Sequence, residues 1–138
     1  MTSEFQQRGE TIEECYEFML AYAARGLPGD EGGQAESQMR EFLNRAVGAL
    51  DGLAESFRTA VEQAELEPVE KYRAFLQVLD RDAGDSLAAL ELVLAQPVIG
   101  SQLIDNLNAS IHLRALLTDM FLVGEILRVH NLAVKQAG

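Results

Sequence analysis

The sequence has no tryptophan, one cysteine and three prolines, and only 7% of its residues are aromatic. A single cysteine excludes an intramolecular disulfide framework. So few prolines, with eleven glycines, exclude a collagen-like or low-complexity chain. Apolar runs are short. Met120–Val123 ends at Gly124 and Glu125, and no stretch approaches the ~20 apolar residues that cross a bilayer. The opening segment MTSEFQQRGE lacks the basic start and apolar stretch of a leader peptide, so the expectation is a cytoplasmic chain with Cys15 as a reduced, buried thiol. Bases are scarce as well: 11 Lys and Arg stand against 22 Asp and Glu, a formal net charge of −11. Nucleic acids and anionic membrane surfaces both need a positive field, so neither is expected as a partner.

What is present is 138 residues, 48% of them hydrophobic, enough for one domain with a core of its own. Ala, Leu and Glu dominate, apolar residues recur at helical spacing, and no sustained alternation of period two occurs. The expected fold is an all-α, antiparallel four-helix bundle, with helices over 4–25, 35–65, 68–95 and 101–135. In the first helix, Ile12, Tyr16, Met19 and Ala23 share a face. Thr11-Ile-Glu-Glu14 has the form of a capping box, which either starts that helix or lies inside it. Gly26 and Pro28 stop it. A loop over 26–33 follows, with four glycines, one proline and two acids, and reads as the most flexible part of the chain.

The second helix carries the cleanest stripe, running from Met39 through Leu43, Leu50 and Phe57 to Ala64. The third begins at Pro68, where proline suits a first helical turn, and ends before Pro97. The short loops flanking the third helix favour antiparallel neighbours. Charge is uneven: residues 1–70 hold 15 acids and 5 bases, whereas residues 71–138 hold 7 acids and 6 bases. The near-neutral second half is therefore the better candidate for an interface.

The fourth helix has an unusual wheel. Ile104, Ile111, Leu122, Ile126 and Val129 fall on one apolar face; Leu113, Leu116, Leu117, Met120 and Leu127 fall on another. Two polar lines separate them. An ordinary surface helix buries one stripe, so two faces point to a second subunit. The expectation is a homodimer with an interface of Leu113, Leu116, Leu117, Met120 and Leu127, in which Arg114, Glu125 and Arg128, together with Asp119, fix the register. The competing reading is one wide face with tolerated polar interruptions.

Chemical motifs are sparse. Di-iron bundles need Glu-x-x-His on two helices, but His112 follows Ala109 at that spacing and His130 follows Leu127, so no metal site is expected. Phosphotransfer at His112 would call for a small residue one turn later with a lysine just before it; Leu116 and Ala115 stand there. A hydrogen-bonded histidine at a helix contact fits better. Asp80, Asp82 and Glu91 match positions 1, 3 and 12 of a calcium loop, yet glycine falls at position 5 rather than 6, and the helical stripe runs straight through. Acids at 13, 14 and 17 raise the Cys15 thiol rather than activate it. Gly29–Gly33 lacks the Lys-Ser/Thr of a phosphate cradle. No catalytic residues and no cofactor are expected. The function that remains is non-catalytic: a protein-interaction, adaptor or assembly-chaperone bundle that docks a partner helix on its fourth helix. The alternative is a small-molecule or metal-binding bundle, of ferritin-like or redox type, with a pocket near Tyr16, Tyr72, His112 and Asp119.

Overall fold

A computed structural model describes residues 3–27 and 33–137, with side chains as far as residue 130. Residues 28–32, most of the glycine-rich loop, lie outside the described residues. The described residues are all helical, without a strand, in six helices: α1 (Glu4–Arg25), α2 (Gln34–Leu50), α3 (Leu53–Gln63), α4 (Val69–Leu94), α5 (Ser101–Ala109) and α6 (His112–Ala137).

Six helices arise because the two longest expected ones are each interrupted. The stripe over 35–65 breaks at Asp51-Gly52, where Gly52 takes φ +94°, a left-handed conformation open to glycine at no steric cost. Arg8 of α1 seals this break. Its guanidinium donates to the carbonyls of Gly48, Ala49 and Asp51 at 3.0, 3.1 and 2.6 Å, groups that the end of α2 leaves without intrahelical donors. The stretch 101–135 breaks at Ser110-Ile111. Ser110 N–H closes α5 onto Asn106, and the carbonyl of Ile111 accepts the N–H of Ala115 to open α6. Ile111 sits at φ +64°, which is uncommon for any residue but glycine and strained for a β-branched one. A single wheel through 101–135 therefore mixes two helices with different axes.

The start of α1 settles the capping question. Ser3 is the N-cap, its Oγ accepting from Gln6 N–H at 3.1 Å. Thr11 lies about two turns inside and donates back to the Gln7 carbonyl. Gly26, at φ +68°, ends the helix in the left-handed conformation, as expected of a glycine just past a helix.

The core runs through every helix. Ile12, Cys15, Met19, Met39, Leu43 and Leu53 are fully covered, and Leu79, Leu90, Ile104 and Leu116 are covered likewise. α1 packs chiefly on α2 and α5, and α6 chiefly on α4. Where α1 meets α6, a Cβ on Gly9 would stand 2.5 Å from the Met120 methyl, so this glycine lets the two helices approach closely. A polar cluster ties the loop after α4 to the rest. Tyr22 donates to the carbonyl of Ile99, Ser101 donates to the carbonyl of Tyr22, and Leu27 N–H donates to Ser101. Arg40 covers the C-terminus of α4, donating to the carbonyls of Leu94, Gln96 and Pro97. No described helix is long and apolar enough to cross a membrane.

Candidate functional site

α6 emerges from the break at Ile111 with one side turned inward. Leu113, Leu116, Leu117, Met120 and Val123 are buried in the chain's own core, and Leu127 is half-buried against it. The five apolar residues expected at a subunit contact thus already have intramolecular cover. The expectation failed on geometry: with α5 on its own axis, the inward face of α6 is the one that holds these leucines. The side turned outward carries Phe121, Leu122 and Val129, which are 58%, 53% and 51% exposed. Ile126 lies half-buried beside them. Of the expected register residues, Arg114, Glu125 and Arg128 are exposed. Arg128 Nε donates to Glu125 at 2.9 Å and a second guanidinium nitrogen meets its other oxygen, a fork-to-carboxylate geometry. That pairing holds Glu125 below the usual carboxylate range.

The second feature lies at the α4–α6 seam. Asp119 of α6 is half-buried and faces Asp82 of α4, also half-buried. Burial, then the hydrogen bond and the charge of Asp82, push the Asp119 carboxyl from 3.8 up to about 7. Two carboxylates in reach of each other cannot both ionise without repulsion, and neither appears in any ion pair among the described residues. One oxygen of Asp119 is buried with no hydrogen-bond donor, as is the hydroxyl of Ser86, one turn beyond Asp82 on α4. The acids Asp80, Asp82, Asp85 and Glu91, read as a degenerate calcium loop, all lie within continuous α4 helix. No group of three or more His, Cys, Asp or Glu suited to a metal occurs among the described residues.

The residues expected around a pocket lie in unlike surroundings. Tyr16 of α1 and Tyr72 of α4 are half-buried against the core, while His112 is exposed at the start of α6. An open depression of about 600 Å³ lies instead on α2, lined by Ser37, Arg40, Glu41, Asn44 and Arg45. Its two arginines are already engaged, Arg40 on the end of α4 and Arg45 on Glu41 and the Phe42 ring. Cys15 is fully buried, and burial rather than the neighbouring acids pushes its thiol up to about 12, which leaves it a packed hydrophobe.

Sequence reading missed Asp82 as the partner of Asp119, and Phe121 as part of the exposed strip. The first pairing joins helices 37 positions apart and has no local signature. Phe121 was legible only once Leu117 and Met120 were fixed as inward. Comparison with protein-family models, with curated proteins and with solved structures gives no match.

Proposed function

We propose that this protein is a non-catalytic helix-docking module, of the adaptor or assembly-chaperone kind, which works as a homodimer in a cytoplasmic setting through the outward side of α6. The observation that carries the reading is the strip of Phe121, Leu122 and Val129, each more than half exposed, on a helix whose opposite side is fully used by its own core. Contiguous large apolar side chains facing water mark interaction surfaces more often than isolated ones do. In this reading α2–α3 and α5–α6 are two kinked rods beside α1 and α4, the antiparallel four-helix arrangement that the short loops favour.

A second copy suits the strip on charge. The whole chain carries a net −11, but α6 holds Arg114, Arg128 and Lys135 against Asp119 and Glu125, the one helix with a surplus of base. Glu125 and Arg128 lie one turn apart. When two such helices cross about a two-fold axis, the acid of each faces the base of the other, the self-complementary pattern of an isologous contact. These exposed pairs fix register more than they add affinity.

The test is the mass of the particle in solution by light scattering and sedimentation. The expected result is a dimer for the natural sequence, with folded monomers for Phe121→Asp and Leu122→Asp. A natural chain that stays monomeric at sub-millimolar concentration, or variants that still dimerise, overturns the reading.

A further inference from the structure

We propose that the Asp51-Gly52 break is a hinge through which two copies of this chain exchange halves. With Arg8 on the break, residues 34–63 bend into α2 and α3. With Arg8 withdrawn, the same residues run as one straight helix, and α3–α6 of each copy pack on α1–α2 of the other. The exchange uses the core and not the outward side of α6, so it stands apart from the docking reading above.

Hydrogen bonds at the break carry the argument. Arg8 Nη1 donates to the carbonyls of Gly48, Ala49 and Asp51. In a continuous helix those same three carbonyls accept the N–H groups of residues 52, 53 and 55. The guanidinium therefore supplies from α1 what straightening supplies from the chain itself, and these carbonyls are satisfied in both arrangements. Glu4 accepts from Arg8 Nε at 3.1 Å and from Nη2 at 2.9 Å, which leaves Nη1 for the break, and a cation suits the carbonyl end of a helix. Only Asp51 and Gly52 separate the two helices. Gly52 holds φ +94°, and a Cβ there would stand 3.3 Å from Arg8 Nη2. The bent form thus calls for glycine at 52, whereas the straight form accepts any good helix former.

The apolar pattern fits both forms as well. On one unbroken wheel of about 3.6 residues per turn, Met39, Leu43, Ala46, Leu50, Leu53 and Phe57 fall within about 80° of one another, and all six are buried in the bent form. A straight helix keeps them on one side. What moves is α3, and with it the Phe57 ring, which lies 5.3 Å from the Phe5 ring of α1. In a lone chain this would turn Leu53 and Phe57 to water, which apolar burial opposes. A second copy restores their cover, because its α1 and α2 present the same surface, and exchange of identical elements remakes the contacts away from the hinge. The bonds from Arg8 to the break belong to the bent form alone, so they weigh the balance toward the unexchanged chain.

The test uses the full chain carrying Phe121→Asp, which removes the outward contact of α6. Spin labels are placed on Ser37→Cys and Glu62→Cys, both exposed positions, while Cys15 is fully buried and stays unlabelled. Labelled chain is mixed with an excess of unlabelled chain, so that distances within one chain are read. A straight helix sets the two backbone positions about 38 Å apart, and the bent form sets them closer. With no further change the expected result is a monomer with the shorter distance. Adding Arg8→Ala, which removes the bonds to the break, is expected to raise the dimerisation constant about tenfold or more by sedimentation, with the dimer showing the separation of about 38 Å. Gly52→Ala keeps Arg8 and tests the hinge separately, with the same expected result. If both variants stay monomeric, or form dimers that keep the shorter distance, the exchange is overturned. A chain with Phe121 intact that never dimerises removes the docking reading, and the exchange stands if the two variants show the long distance.

Discussion

The carboxylate of Glu36, near the start of α2, accepts the backbone N–H of Ile99 at 2.8 Å, across 63 residues of sequence. The same oxygen accepts from Arg40 at 3.2 Å, and Arg40 in turn closes the end of α4. One acid thus joins the first turn of α2 to the loop that leads into α5. Glu36 is only 3% exposed, and an acid is found that deep only when it is paired and hydrogen-bonded.

Glu36→Ala is therefore expected to destabilise the fold by about 2–4 kcal/mol, because it strands the Ile99 N–H and the Arg40 guanidinium together. Glu36→Gln keeps an oxygen for Ile99 and should lose roughly half as much. Urea unfolding followed by circular dichroism checks both. Equal midpoints for the alanine variant and the natural protein would mean that water replaces the carboxylate at no cost.

At Ile111 the expected change has the opposite sign. This residue holds a left-handed backbone conformation with a branched side chain, a strain of roughly 1–3 kcal/mol. It is also 58% exposed, so little burial is lost on truncation. Ile111→Gly removes the steric clash and adds about 0.5–1 kcal/mol of backbone entropy to the unfolded chain. The net expectation is a stabilisation of about 1 kcal/mol, seen as a higher thermal midpoint by calorimetry. A lower midpoint would show that the side chain packs to more effect than its exposure implies.

The two helix breaks explain how much of this fold the sequence made legible. Helical class and the inward residues of α2 and α4 follow from periodicity, because burial of one stripe dominates those segments; the end of α1 follows from Gly26, whereas its start at Ser3 rather than Thr11 did not. The break at Asp51-Gly52 carried a written signal, an Asp-Gly pair of the kind that marks turns. The periodicity across it hid that signal, since α3 resumes the same inward face at Leu53 and Phe57. The break at Ser110-Ile111 carried none. Isoleucine is disfavoured where glycine would be expected, and tertiary packing of α5 on α1 overrides the local preference. The outward strip of α6 was half legible: Leu122, Ile126 and Val129 fall on one face of the wheel, but which face turns inward depends on the axis that the break sets. The Asp82–Asp119 contact was not legible at all, as it depends on how α4 and α6 align.

That contact also makes stability depend on pH in an unusual direction. The Asp119 carboxyl binds its proton more tightly in the folded protein, at about 7, than at its ordinary 3.8. Its contribution is then fully present below about pH 4, declines as pH rises through the interval up to about 7, and is level above that. Solvent reaches the half-buried pair, which discounts the full shift to about 1–2 kcal/mol. Stability of Asp119→Asn should exceed that of the natural protein by this amount above pH 7 and match it near pH 4. Chemical unfolding across the range reads the difference, and curves that stay parallel would show that the pair titrates normally.

The two sides of α6 should respond to charge in opposite ways. Leu116 is fully buried, so Leu116→Asp places an unpaired carboxylate in the core and also removes a large apolar side chain, a loss of more than about 4 kcal/mol. For a domain of this size that is a large part of the whole stability, and the expected product is an unfolded or aggregated chain with lost near-ultraviolet dichroism. Phe121, 58% exposed, lies only five positions further along the same helix. Phe121→Asp trades an apolar group in water for a solvated one and should leave the stability of the monomer within about 0.5 kcal/mol of the natural value, compared at a concentration low enough that neither chain is associated. Because the helix is common to both, propensity and chain context are matched, and the contrast isolates which flank of α6 the protein's own core covers. If Leu116→Asp folds as a monomer while Phe121→Asp unfolds, the inward and outward sides have been exchanged, and the docking surface moves to the leucine side with them.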